Sequence, residues 1–512
     1  MKKYRTLLFT LLAMASLSLS GCSFFMNLFN GGGTPVDLAP TKLSGTYQDY
    51  MNHNIHLLDS TPLSGQSKLL VVPIWFTDSS NYISLSQKER VREDIENAYF
   101  GTDNSVGWKS VKGYYKELSQ SKLNLTGEVT EWYECGKASS YFWSAEQGAK
   151  NTVSLVKQVV QDYKTNHSTS MSDFDTDKNG YIDGVILIYG SPNYASLKNN
   201  NASNMWAYTF WTQDNRGPYS NPVPNAFFWA SYDFMYSPNV IGVYGYGDTS
   251  HCNIDTHTFI HEMGHMFGLE DYYDYSKQYC PAGGFSMQDY NIGSHDPYSV
   301  MAFGWADPMI PKETCTLKLR SFQETHDLIL LASNPGRVVS PFDEYLLLEL
   351  YTPSGLNSFD TNYSYGGNYP TGPKSPGIRL WHVDGRLLQA TSRSEDMKVS
   401  FANSINPSYY YTHAMSNTYY SSDVADYVSP LGEEYADYNI LQLIRNATRT
   451  TYKPTDTLTQ ADLFGAGSTF KVSTYKKQFK HGEQLNDKST LGWSFKVNKV
   501  NSSEATITVT RS

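Results

Sequence analysis

Residues 257–271 read His257-Thr-Phe-Ile-His261-Glu262-Met-Gly-His265-Met-Phe-Gly268-Leu-Glu-Asp271, and they leave the chain few local options. Residues four apart share one face of a helix, so His261 and His265 can present two imidazoles to one metal ion. Glu262 then points to the side, toward a water at that metal rather than the metal itself. Phe259, Ile260, Met263 and Phe267 make the rest of the stretch apolar, which predicts a core helix. Gly268 stands where such a helix ends in a left-handed residue and turns the chain back. A fold that meets these demands buries one side of a short helix, breaks it at the glycine and returns a further ligand to the same point.

The residue types suit metal-assisted hydrolysis. Zinc lowers the pKa of a water toward about 7 and polarises a carbonyl oxygen. A neighbouring carboxylate takes the proton and passes it to a leaving amine. HxxGxxD spacing puts Asp271 where the extended metzincin-type motif places its third ligand, with Glu270, Asp274, Asp289 and His295 as competitors. His257 lies on the same helical stripe, yet eight residues span about 12 Å along a helix axis. His257 and His265 therefore cannot share one ion at zinc–nitrogen bonds of roughly 2.0–2.1 Å, and a packing role is expected for His257. The expected activity is a zinc endopeptidase acting on proteins or peptides. Two other readings stay open: a non-catalytic surface protein gripping glycans or protein around a vestigial zinc site, and a zinc amidase on peptidoglycan.

The formal net charge is −10, and the sequence has no Lys/Arg cluster. Nucleic acid is thereby excluded as an expected partner. Lys2, Lys3 and Arg5 precede an apolar run from Leu7 to Leu19 that is too short for a comfortable membrane span. Leu19-Ser20-Gly21-Cys22 resembles a bacterial lipobox. Residues 1–22 are read as a lipoprotein signal, with a lipid on Cys22 holding the chain outside the cytoplasmic membrane. Residues 23–40, with Gly31-Gly32-Gly33, read as a flexible tether. Cys135, Cys252, Cys280 and Cys315 remain, an even number that permits two disulfides in three pairings. Cys252 and Cys280 flank the motif helix, so their pairing would brace it.

Residues 68–76 (KLLVVPIWF) and 184–189 (GVILIY) read as buried strands, and 87–99 and 109–119 carry helical spacing. Short strand-like segments follow at 315–320, 326–332, 344–351, 377–383 and 491–510, while 403–422 reads as a polar loop. The expected architecture is an α/β (α+β) catalytic domain over 41–315, then a β-rich, sandwich-like region over 316–512. Between the first strands, Asp175, Asp177, Asn179, Gly180 and Asp183 alternate oxygen ligands around a glycine, a pattern suited to a hard cation such as calcium. The twelfth position is Ile186 rather than glutamate, so this is a shorter loop than an EF-hand.

The chain resembles the bacterial immune inhibitor A family of secreted metallopeptidases. The resemblance is carried by Ser110-Val-Lys-Gly-Tyr-Tyr-Lys-Glu-Leu-Ser119 with Leu123-Asn-Leu-Thr-Gly127, by Asp175 to Gly184 leading into VILIY, and by the metal motif. It continues in Gly283-Gly284-Phe-Ser-Met287-Gln-Asp289-Tyr290-Asn291, in His295-Asp-Pro-Tyr298-Ser299 and in Phe303-Gly304-Trp305. Glu344 to Glu349 and Gly377 to Asp384 follow in order, so it spans roughly residues 60–390. It implies a metzincin-like catalytic domain, zinc-dependent cleavage and structural calcium. It also implies that Met287 forms a hydrophobic floor beneath the zinc, and that Tyr290, His295 and Tyr298 are candidates to stabilise an oxyanion. Met287-Gln288-Asp289 departs from the family pattern at the turn.

Overall fold

The computed structural model describes residues 34–52, 59–102, 105–168, 170–236, 254–275, 279–363, 365, 369–390, 399–402, 409–418, 438–446 and 456–512. Cys22 and Cys252 lie outside them, and with them the expected lipid and the Cys252–Cys280 pairing. Among the described residues Cys135, Cys280 and Cys315 are free thiols.

A short helix α1 (Tyr47–Asn52) precedes a six-stranded sheet. Its strands are β1 (Gly65–Trp75), β2 (Leu123–Val129), β3 (Tyr133–Glu134), β4 (Gly184–Tyr189), β5 (Tyr208–Trp211) and β6 (Ala226–Ser231). They lie in the order β2-β1-β4-β6-β5, and β3 pairs with β1 beyond β2. Only β5 runs antiparallel, as the edge strand beside β6. The expected strands at 68–76 and 184–189 are thus the two central ones. Leu69 and Val71 face one core while Leu70, Val72 and Ile74 face another, and β4 alternates likewise. Cover on both faces explains why these strands read as unbroken apolar runs.

Parallel neighbours need crossovers. Helices α2 (Lys88–Phe100) and α3 (Val111–Leu118) connect β1 to β2, and α4 (Ala145–His167) connects β3 to β4. Val91, Ile95 and Ala98 are buried on α2, as their spacing predicts. Ser110 and Ser144 cap α3 and α4 by accepting backbone amides of the first turn. Leu155, Val156, Val159 and Val160 of α4 fill one face of the sheet. The motif helix α5 (His257–Met266) packs on the other face, with α2 and α3.

After α6 (Pro297–Ala302) come β7 (Cys315–Arg320), β8 (Ile329–Leu331), β9 (Glu344–Tyr351), β10 (Gly377–Asp384), β11 (Leu387–Ala390), β12 (Val399–Phe401), β13 (Tyr410–His413), β14 (Leu441–Ile444), β15 (Thr469–Lys471), β16 (Trp493–Val500) and β17 (Glu504–Arg511). They form sheets of order β14-β10-β9-β8, β12-β11-β13 and β15-β16-β17-β7. β13 falls inside the segment expected to be a polar loop. Leu346, Leu348 and Leu350 of β9 share a core with β16 and β17, while Tyr345, Leu347 and Tyr351 on the opposite face join the core around α5. The β14-β10-β9-β8 sheet is therefore buried on both sides, one of them toward the motif helix.

Two expected boundaries differ from the packing. The core around α5 runs from Tyr47 to Leu463 without a break at residue 315, because β9, β10 and β14 supply one of its walls. The described end of the expected tether is seated on the fold: Val36 bridges Leu317, the Thr41 amide donates to the Pro308 carbonyl at 2.8 Å, and Leu38 packs on the C-terminal core.

Candidate active site

Phe259, Ile260, Met263, Met266 and Phe267 are buried, which clamps α5 to the sheet and leaves His261 and His265 together on its other side. The helix ends at Phe267, and Gly268 takes φ +108°, the positive region that turns the chain back. A side chain at 268 would also press on Tyr47, whose Cβ lies 3.2 Å from where it would begin.

The turn brings Asp271 Oδ1 to 3.1 Å from His261 Nε2 and 3.3 Å from His265 Nε2, and the two nitrogens are 3.2 Å apart. A tetrahedral ion with bonds of about 2.0–2.1 Å holds its ligands roughly 3.3–3.4 Å from one another, so this triangle has the size of one face of such a site. Asp271 Oδ1 is buried without a well-directed hydrogen-bond donor, although both nitrogens are close. The three atoms converge on a common point, with the two imidazole nitrogens within hydrogen-bond distance of each other. Their side chains keep 10–18 % exposure, so that point is open to solvent.

Each imidazole is oriented from behind. His261 Nδ1 lies 2.8 Å from the Met287 carbonyl and His265 Nδ1 lies 2.8 Å from the Leu269 carbonyl. A carbonyl only accepts, so Nδ1 carries a proton and Nε2 is the nitrogen directed at the common point. The Tyr275 hydroxyl donates to Asp271 Oδ2 at 2.8 Å, which leaves Oδ1 turned to the histidines. Burial would lower the His265 pKa, but the Asp271 carboxylate raises it to about 10. Burial would raise Asp271, yet His265 and His261 hold it far below the usual carboxylate range. Both shifts express one property: the pocket stabilises positive charge beside Asp271.

Glu262 is buried, and burial raises its carboxyl against the pull of His265 and His261. Thr209, on edge strand β5, places its hydroxyl 3.0 Å from the Glu262 carbonyl and 3.3 Å from Oε2. Met287 is buried under the helix. A Cβ on Gly264 would come within 2.3 Å of Gln288 Oε1, so a larger residue there would push the Gln288 side chain aside.

The competing ligands are committed elsewhere. Asp289 accepts the Gly284 and Tyr290 amides at 2.9 and 2.8 Å, Asp274 accepts the Tyr279 amide, and His257 Nε2 meets the Asn291 carbonyl at 3.0 Å. Burial raises Glu270 to about 7. His295 departs from its expected place near an oxyanion. It is 1 % exposed, its Nε2 lies 3.2 Å from the Tyr115 hydroxyl, and its ring packs on Tyr114, Tyr115 and Phe303. An imidazole so enclosed has no path to a substrate carbonyl. Tyr298 is equally buried, its hydroxyl 3.2 Å from that of Tyr47. Tyr290 is half-buried, and its ring stacks 5.1 Å from Tyr273, which in turn lies 6.3 Å from His261.

Residues 65–186 match the family model described as immune inhibitor A peptidase M6, catalytic domain. That span is similar to the catalytic domain of this peptidase family. The matched span runs from β1 into β4 and stops before α5, so the ligand triangle is an independent observation. No curated protein matches the chain. The similarity supports a peptidase and implies a metal. Two groups among the described residues bring three ligand atoms within 4.8 Å of one another: His261, His265 and Asp271, and, inside the matched span, Asp175, Asp177 and Asp183.

The acidic loop is built differently from its sequence pattern. Asp183 accepts the Lys68 and Thr176 amides at 2.7 and 2.9 Å, which pins the loop to β1. The Asn179 side chain presents its amide nitrogen, not its oxygen, to Asp177 and Asp59 at 3.0–3.2 Å, while its oxygen accepts the Tyr181 amide. Asn179 is thus a brace in this arrangement rather than an oxygen ligand. Asp59 completes the acidic group; burial, then the charge of Asp177, raise it to about 8. No local pattern marks Asp59, Thr209 or Tyr275 in the sequence, since each joins the site only through folding.

Proposed function

We propose that this chain is a zinc-dependent endopeptidase of metzincin-like build, tethered outside a bacterial membrane by a lipid on Cys22. The observation that carries the reading is the triangle of His261 Nε2, His265 Nε2 and Asp271 Oδ1, with Glu262 beside it. Two imidazoles and one carboxylate form a donor set suited to zinc, and three protein ligands leave a position for water or substrate. A zinc ion bound there supplies the Lewis acidity that activates a water and polarises the peptide carbonyl.

The chain's own residues do the rest. Glu262, buried and held by Thr209, accepts the proton of the attacking water and returns it to the leaving amine nitrogen. Tyr290 is better placed than His295 to meet the developing oxyanion, because its hydroxyl-bearing ring is only half-buried. Substrate has a natural rail in β5. The Thr212 amide bonds the Asn225 carbonyl at 3.1 Å, and antiparallel ladders alternate, so Tyr208 and Phe210 bond to β6 while Thr209 and Trp211 turn their amides and carbonyls outward. An extended peptide can add to that edge, which has no further strand paired to it among the described residues.

Asp175, Asp177 and Asp183 would hold a hard dication such as calcium, with Asp59 as an added carboxylate. The two C-terminal sheets that share a core support a sandwich-like reading of that region. Lipid anchoring rests on the charged start, the apolar run and the Leu19-Ser20-Gly21-Cys22 box. No helix among the described residues is long and apolar enough to cross a membrane.

Metal content and casein hydrolysis, measured on protein starting after Cys22 beside Glu262→Ala, test the reading. We expect about one zinc at this site in both proteins, and cleavage by the parent alone. Zinc without cleavage of any protein by the parent would favour the amidase; a folded parent that binds no zinc would overturn the proposal.

A further inference from the structure

The general base has only one side-chain hydroxyl directed at it among the described residues, and that group belongs to the strand beside it. Thr209 places Oγ1 3.3 Å from Glu262 Oε2 and 3.0 Å from the carbonyl of the same residue. Its side chain therefore meets both the carboxylate and the backbone of Glu262. The two residues sit on different elements, β5 and α5, and Glu262 is 6 % exposed, so little water is available to orient the carboxylate in its place. Thr209 is also one of the two β5 residues whose amide and carbonyl face away from β6.

We infer that Thr209 is the positioning residue of Glu262, fixing the carboxylate through its hydroxyl while its backbone lies on the edge that receives substrate. The inference rests on the peptidase reading for its catalytic consequence, but not for its geometry. A hydrogen bond restrains a charged group more strongly than a neutral one. Removing it frees the carboxylate to rotate away from the proton it must collect. One residue touching both the base and the substrate rail sets the base in register with the scissile bond.

Thr209→Val keeps the shape and removes only the hydroxyl; Thr209→Ser keeps the hydroxyl. For the zinc-loaded protein we expect Thr209→Val to lower kcat about ten- to a hundredfold, with KM, bound zinc and melting temperature little changed. Thr209→Ser should restore most of kcat. In a Glu262→Gln background the valine should cost nothing further, since the group it positions is already lost. The inference is overturned if valine leaves kcat intact, if serine is as impaired as valine, or if the loss appears in KM or in zinc content. Crystal structures of the parent and Thr209→Val separate this from the peptidase reading. If the parent binds zinc but cleaves nothing, that reading falls. A Glu262 side chain that stays ordered and unmoved in the valine variant would instead dispose of the positioning role.

Discussion

Asp59 and Asp183 show how burial shifts single carboxyls far from their ordinary range. Burial is the largest cause in both, raising Asp59 to about 8 and Asp183 to about 7, from roughly 3.9 in an unfolded chain. A carboxyl whose folded pKa is raised lends stability below its unfolded pKa and loses that contribution as pH rises through the folded value. Metal-free protein should therefore lose stability between about pH 4 and pH 8, and a dication should offset the loss where the carboxyls ionise. We expect calcium to raise the melting temperature by several degrees at pH 8 and by much less at pH 5. Asp59→Asn should flatten the difference between those two pH values, read by thermal melts with and without calcium. An equal calcium effect at both pH values would remove Asp59 from the site.

At the scale of elements, the proposed third metal ligand lies on a turn that α5 does not hold alone. Residues 268–275 leave the helix at Gly268, and C-terminal elements grip them from outside. Asn417, fully buried, donates to the Tyr272 carbonyl at 3.0 Å and the Leu441 carbonyl at 2.8 Å, and accepts the Leu441 amide at 3.2 Å. It links the residue after Asp271 to strand β14. The Tyr275 amide donates to the Thr418 carbonyl at 3.0 Å. Asn417→Ala leaves the Tyr272 and Leu441 carbonyls without this donor and lets Asp271 drift. Outer partners of a metal ligand are commonly worth about 10–100-fold in affinity, and a loss of that size is expected in chelator competition. Unchanged affinity would show that the turn is held by α5 and Gly268 alone.

Across the whole molecule, the motif helix α5 lies between the parallel sheet on one side and the β14-β10-β9-β8 sheet on the other. Tyr345, Leu347, Trp381 and Val383 sit in the same core as Phe259, Ile260 and Met287. Removing them would expose that wall to water, with an unfavourable free energy of roughly 1.5–3 kcal/mol for each large side chain uncovered. A fragment covering residues 41–315 is expected to lack cooperative unfolding and to bind zinc poorly, whereas the chain from residue 34 onward should unfold with the metal site and both flanking sheets in one transition. Calorimetry and zinc content on the two proteins check this; a fragment that melts cooperatively with zinc bound would establish an autonomous domain ending near 315.

Much of the site was legible because its signals are local. Helical spacing places His261 and His265 together, apolar neighbours bury the opposite side, and Gly268 supplies the turn that returns Asp271. Strands β4, β7 and β9 also match their sequence-predicted spans, because apolar runs bounded by turn residues have few alternatives. Helix α4 was not anticipated, since its polar half masks the period of Leu155, Val156, Val159 and Val160, and the boundary at 315 follows a change of composition that the packing ignores. What required the folded chain is every partner drawn from elsewhere: Thr209 on Glu262, Tyr275 and Asn417 around Asp271, Asp59 beside the acidic loop, and the enclosure of His295. The physical reason is that sequence periodicity encodes which side of an element faces inward, whereas the partner met there depends on how separate elements pack.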